Sequence, residues 1–124
     1  LILSDLHIPY HSKMAVELAV KEGKRRNADT VIINGDFADN YSVSSHETNP
    51  SKRDTAAEIQ DVKEGLEWLQ NQFPKARLIY KSGNHELWWD RYLYKNAPML
   101  CGLPTTTASS FSMGMNTNLP SAIR

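Results

Sequence analysis

Short apolar runs alternate with segments of helical period along this chain. Leu1-Ile2-Leu3, Thr30-Val31-Ile32-Ile33 and Leu78-Ile79-Tyr80 are each brief, partly β-branched or aromatic, and followed at once by small or polar residues. That is how a strand buried on both faces of a parallel sheet reads. Between the first two runs, Ser12 to about Arg26 carries the i, i+4 pairs Met14/Leu18 and Ala15/Ala19, with Lys24, Arg25 and Arg26 closing the last turn. Between the second and third, Ile59, Val62, Leu66, Leu69 and Phe73 recur at alternating spacings of three and four, which is one face of a helix. Thr55 with Glu58 forms a capping-box pattern ahead of them, and Pro74 stops the helix. A third helix is predicted over about 86–96, ending before Pro98. The order β-α-β-α-β-α predicts parallel strands joined by right-handed crossovers, an α/β fold. Ala38 to Arg53 has no period and is long for a connection, a length at which loops often carry function.

Composition narrows the possibilities. A length of 124 residues suits one small domain. Lys+Arg and Asp+Glu both number 14, so the chain is formally neutral, which argues against a protein whose main business is coating nucleic acid or an anionic membrane. No apolar run approaches the roughly 18–20 residues that span a bilayer. The one cysteine, Cys101, excludes an internal disulfide framework and fits a reducing compartment, so a cytoplasmic location without membrane association is expected. Residues 105–124 hold four Thr, four Ser and no acid, which reads as a polar tail, disordered or out of frame, after a domain over residues 1–104.

Each predicted strand runs into a cluster of potential ligands: Ser4-Asp5-Leu6-His7, Asn34-Gly35-Asp36-Phe37-Ala38-Asp39 and Ser82-Gly83-Asn84-His85-Glu86. Parallel α/β sheets bind ligands beyond the carboxyl ends of their strands, so three strands deliver carboxylate, imidazole and amide groups to one edge. Asp5 and His7, two apart in an extended segment, are expected to point the same way while Leu6 points inward. Gly35 and Gly83 let the backbone turn where a Cβ would obstruct. A mixed N/O donor set without thiolate suits Mn, Fe or Zn better than Ca or Mg.

Asp5-x-His7, Gly35-Asp36-x-x-Asp39 and Gly83-Asn84-His85-Glu86, in that order and spacing, resemble the first three motifs of the calcineurin-like metallophosphoesterase superfamily. Asp5-Leu6-His7-Ile8-Pro9, Asn40-Tyr41-Ser42 and the run from Arg91 through Pro98 are similar to its compact prokaryotic and phage members. The resemblance covers roughly residues 1–104. It implies the first half of an αββα sandwich and two divalent metal ions, manganese first among Mn, Fe and Zn. It further implies hydrolysis of a phosphoester, small molecule or nucleic acid, by metal-bound hydroxide attacking phosphorus. Carried over residue by residue, Asp5 and His7 would ligate one metal, Asp36 would bridge both, and Asn84 would ligate the second. His85 would face the scissile phosphate together with Asn84 and assist the leaving oxygen, oriented by Asp39.

The resemblance also implies three further histidines downstream, one alone and two in a Gly-His-x-His motif. This chain has His7, His11, His46 and His85 and none later, so the two-metal site is expected to be incomplete and the fragment inactive beside a full-length parent. A nuclease or cyclic-nucleotide phosphodiesterase of the same superfamily, and a non-catalytic metal-binding or interaction remnant, are the alternative readings. His11 reads as a solvent-exposed residue near a helix start, His46 as a loop residue, Trp88 and Trp89 as packing, and Lys21, Lys24, Arg25 and Arg26 as complements to a helix dipole. Asn40, Tyr41 and Ser42 are expected to border the pocket, and Lys52 with Arg53 is a basic pair within reach of an anionic substrate.

Overall fold

Three strands and three main helices alternate along the chain in a computed structural model that describes residues 1–44 and 46–101. They are β1 (Ile2–Leu3), α1 (Lys13–Arg25), β2 (Thr30–Asn34), α2 (Thr55–Gln72), β3 (Arg77–Lys81) and α3 (Asn84–Asn96). The long loop before α2 contains two single turns of 3₁₀ helix, Tyr41–Val43 and Pro50–Lys52. The sheet runs in the order β1-β2-β3, parallel throughout, and its register places Ile2, Ile32 and Ile79 side by side. This is the predicted α/β architecture. The expected polar tail, residues 105–124, lies outside the described residues.

The sheet alternates as strand geometry requires. Leu3, Val31 and Ile33 point to one face and join Val20 of α1 and Val62, Leu66 and Leu69 of α2 in a single core with Ile8, Phe37, Ala38 and Phe73. Burying such a side chain contributes about 1.5–3 kcal/mol, so both crossover helices are held on this face. The other face differs from the expectation of strands buried on both sides. Ile2 is 66% exposed, Ile32 and Ile79 are partly exposed, and none of the three belongs to the core.

The helices begin and bury differently from their sequence patterns in three places. In α1, Met14 and Leu18 are exposed, and Val16, Ala19 and Val20 face the core instead. Helix α2 is capped by Asp54, whose side chain accepts from the Ala57 N–H at 3.0 Å, rather than by Thr55. Glu58 is therefore released from capping. It turns inward and accepts from the Ser42 N–H and hydroxyl at 3.1 and 2.8 Å. Helix α3 starts at Asn84, two residues before the predicted start, which places Asn84 and His85 in its first turn.

Candidate metal centre

The three post-strand loops meet at the carboxyl edge of the sheet. After β1 the chain stays hydrogen-bonded to the segment after β2: the Asp5 N–H donates to the Gly35 carbonyl at 3.2 Å, His7 to Asp36 at 2.9 Å and Ile8 to Phe37 at 2.8 Å. It is not extended there. Asp5 and His7 both have left-handed backbones, with φ of 55° and 54°, so the expected alternation along an extended segment does not hold. Asp36 (φ 50°), Asn40 (φ 54°) and Gly35 (φ 86°) share that conformation. Of the five non-glycine residues with positive φ among the described residues, only Asn27 lies away from this edge. Such a backbone costs of order 1–3 kcal/mol per residue, and its concentration in one place marks a functional candidate.

His7, Asp36 and His85 come together. Each offers a ligand atom, and these atoms lie within 4.8 Å of one another. Asp36 is 9% exposed; its Oδ1 accepts from the His85 backbone N–H at 2.9 Å, and its other oxygen accepts no hydrogen bond among the described residues. Gly83 makes this approach possible. A Cβ there would stand 2.2 Å from Asp36 Oδ1 and 2.5 Å from the Asp36 nitrogen.

Asp39 serves both imidazoles, and not in the way expected. Its carboxylate lies 3.0 Å from His7 Nδ1, while its backbone carbonyl lies 2.7 Å from His85 Nδ1, with the carboxylate 3.7 Å from that same nitrogen. Carboxylate and carbonyl oxygens only accept, so both Nδ1 atoms carry the proton and both Nε2 lone pairs are left for another partner. Metal-bound histidines are held in this manner by an outer carboxylate or carbonyl. The donor set, two imidazoles and a nearly buried carboxylate on a cradle that only glycine permits, fits a divalent ion.

Asp5 stands outside this group. It is exposed, and its carboxylate accepts from the Ser4 hydroxyl. Asn84 is exposed at the first position of α3, next to His85. His11 does not reach the site; it lines a cleft between α1 and α2 with Trp68, and its Nδ1 is buried without a hydrogen-bond partner among the described residues. Asn40 donates from Nδ2 to the His85 carbonyl at 2.9 Å, fastening the start of α3, and Ser42 is bonded to Glu58. Arg25 and Arg26 pair with Glu22, as residues at a helix end do.

Glu86 is the residue that the sequence left without a role. It is 5% exposed in the first turn of α3. Its Oε2 accepts from the N–H groups of Asp36 and Gly83 at 3.0 and 2.6 Å, and its Oε1 from the Ala38 N–H at 3.0 Å and the Tyr80 hydroxyl at 2.9 Å. One carboxylate thus ties both glycine turns together. Burial, reinforced by the Glu86 carboxylate, raises the Tyr80 pKa above its ordinary value and keeps its hydroxyl a donor. The signal available was an acid in the first turn, which reads equally well as a cap.

The calcineurin-like phosphoesterase family model matches residues 1–114. No curated protein and no solved structure matches the chain.

Proposed function

The chain belongs to the calcineurin-like phosphoesterase family, and from that premise we propose that the His7–Asp36–His85 edge is the core of a metal-dependent phosphoester hydrolase site. The observation that carries this reading is the convergence of three ligand atoms within 4.8 Å on strained, glycine-supported turns. When bound, divalent ions supply charge neutralisation for the phosphoryl oxygens and lower the pKa of a bound water. On this reading Asp5, His7, Asp36 and Asn84 would hold two divalent ions, manganese foremost, with Asp36 serving as a shared ligand. Asp5 reaches the group only by a movement of its exposed side chain. A cytoplasmic location goes with this proposal on the single cysteine.

The chain's own residues do the rest. Asp39 holds a proton on His7 Nδ1 and, through its carbonyl, on His85 Nδ1, so each imidazole presents Nε2 toward the reacting centre. His85 in its protonated form donates from Nε2 to the leaving oxygen, with Asn84 beside it orienting the phosphoryl group. A second reading follows from the same geometry: His85 sits close enough to His7 and Asp36 to be a metal ligand itself.

Titration calorimetry with Mn²⁺ tests both. Asp36→Asn should weaken metal binding by at least tenfold, because it removes the charged oxygen donor of the group, and Mn-dependent turnover of a phosphodiester by a protein that carries this chain should disappear. Mn-dependent turnover retained in that variant would overturn the assignment. His85→Ala should leave metal uptake largely intact and cut turnover; lost uptake would make His85 a ligand.

A further inference from the structure

We propose that the cleft flanking His85 seats a single-stranded nucleic acid, with the phosphodiester to be cleaved lying at the His7–Asp36–His85 group. This deepens the phosphoesterase reading and rests on it. The cleft has a volume of about 380 Å³ and is lined on its working sides by His46, Arg53, Trp88, Arg91, Tyr92 and Lys95. It joins the metal centre directly, because the Trp88 ring stacks on His85 with centroids 3.9 Å apart and planes 29° apart. His46 sits edge-on to the same indole at 5.4 Å.

The charge of this cleft is one-sided. The chain carries as many acids as bases, yet three cations and no carboxylate line it. Among the described residues the side chains of Arg91 and Lys95 form no ion pair or hydrogen bond, and the guanidinium of Arg53 bonds only to the Thr48 hydroxyl. By contrast, the cleft between α1 and α2 holds Glu17, Asp61 and Glu64 against a single lysine, Lys13. Exposed cations without partners beside a phosphoester site are placed to meet further phosphates.

The spacing favours a strand over a small phosphomonoester. His85, Trp88, Arg91/Tyr92 and Lys95 follow one another at intervals of three and four along α3, so they lie on one face of the helix. From His85 to Lys95 that face runs roughly 15 Å. A lone phosphate would engage one of these groups. An anion with repeated charges and flat faces uses Arg53, Arg91, Lys95 and the rings of Trp88 and Tyr92 together, the combination of cationic groove and aromatic groups by which single strands are held. An acidic peptide would meet the cations but offers Trp88 no regular partner for stacking.

The test is fluorescence anisotropy of a labelled dT12 oligonucleotide with the full chain in EDTA, across 50–200 mM NaCl. Arg91→Ala/Lys95→Ala should weaken binding by about tenfold or more and make the slope of log K against log[salt] shallower by about 1.4, that is about 0.7 for each single-strand phosphate no longer neutralised. Unlabelled dT12 should quench tryptophan fluorescence, and Trp88→Phe should remove most of that quench. Unchanged affinity in the double variant would overturn the proposal, as would displacement of dT12 by polyglutamate of equal charge at equal concentration. Mn²⁺ calorimetry on the same proteins, after EDTA is removed, separates the two readings. Metal uptake without dT12 binding refutes this inference alone, whereas dT12 binding without metal uptake refutes the metal-centre reading and leaves the cleft.

Discussion

Asp36 concentrates the constraints of the site in one residue. Its backbone is left-handed, its nitrogen is held by Glu86, its carboxylate takes the His85 N–H, and Gly83 closes over it with no room for a methyl group. Gly83→Ala should therefore displace Asp36 rather than merely fill space. Inserting a carbon 2.2 Å from Oδ1 is an overpacking change of about 1–3 kcal/mol, at the upper end because backbone is struck as well. Urea denaturation should show that loss, and Mn²⁺ calorimetry on the same variant should show affinity down at least tenfold. Full stability with intact metal binding would mean that Asp36 is not held where the structure places it. At this scale the sequence is informative about residue types and poor about conformation. His7, Asp36 and His85 stand out because they follow strands in a recognisable spacing. The left-handed turns that aim them do not, since Asp and His, though enriched at positive φ, adopt negative φ at most positions. The sequence suggests Asp39 as a partner of His85 through its side chain; a carbonyl contact is invisible there because every residue has a carbonyl.

Two buried glutamates that the hydrophobic pattern does not reveal add polar ties between elements beside the apolar core. Glu86 joins α3 to the turns after β2 and β3 through four donors. Glu86→Gln keeps one acceptor oxygen and turns an NH₂ group toward two of those donors. Each buried donor left unsatisfied costs about 1–3 kcal/mol, so a destabilisation of about 3 kcal/mol by urea titration is expected, with weakened Mn²⁺ binding. A change under 1 kcal/mol would show that the turns stand without it. Glu58 is the opposite case. Burial raises its pKa, the Ser42 hydrogen bonds oppose that shift, and the nearby Asp39 and Asp54 add to it. With the folded pKa above the unfolded one, the native state binds the proton more tightly, so this group's contribution falls as pH rises from the unfolded pKa through the folded one. Glu58→Gln keeps an oxygen for both Ser42 donors and removes the charge. Thermal melts should therefore show the variant's midpoint rising relative to the parent chain between pH 4 and pH 8; a steeper decline in the variant would reverse the sign. The strands and α2 are legible in the sequence because an apolar run or a three-four repeat is imposed by burial itself. The start of α3 is not, because Gly83 caps it without any side-chain signal, and Trp88, which its sequence context suggests as packing, leaves the core for His85.

At the scale of the whole molecule, the sheet is the point of imbalance. Its helix-covered face carries Leu3, Val31 and Ile33 into the core, whereas the register lines up Ile2, Ile32 and Ile79 on the face outside it. Around this row the same face is polar: Thr30 and Arg77 lie on one side, and Asn34 and Lys81 on the other, the last two joined by a hydrogen bond of 3.3 Å. An apolar stripe rimmed by polar groups, on a sheet whose outer strands β1 and β3 have unpaired edges among the described residues, is the kind of surface through which this chain is expected to self-associate. Replacing Ile2 and Ile79 by threonine keeps the β-branched shape that strands favour while removing apolar surface that is already partly wet, so stability should change by less than about 1 kcal/mol. The double variant should elute later and more symmetrically in gel filtration at high protein concentration and bind less of a hydrophobic dye. The signal should not move if other apolar surface, such as the exposed Met14 and Leu18 of α1, drives association instead. Metal uptake offers the matching control, because the isoleucine row lies on strands that end short of His7, Asp36 and His85. A gain in solubility with Mn²⁺ affinity unchanged would show that the exposed isoleucine face and the ligand-bearing edge act independently.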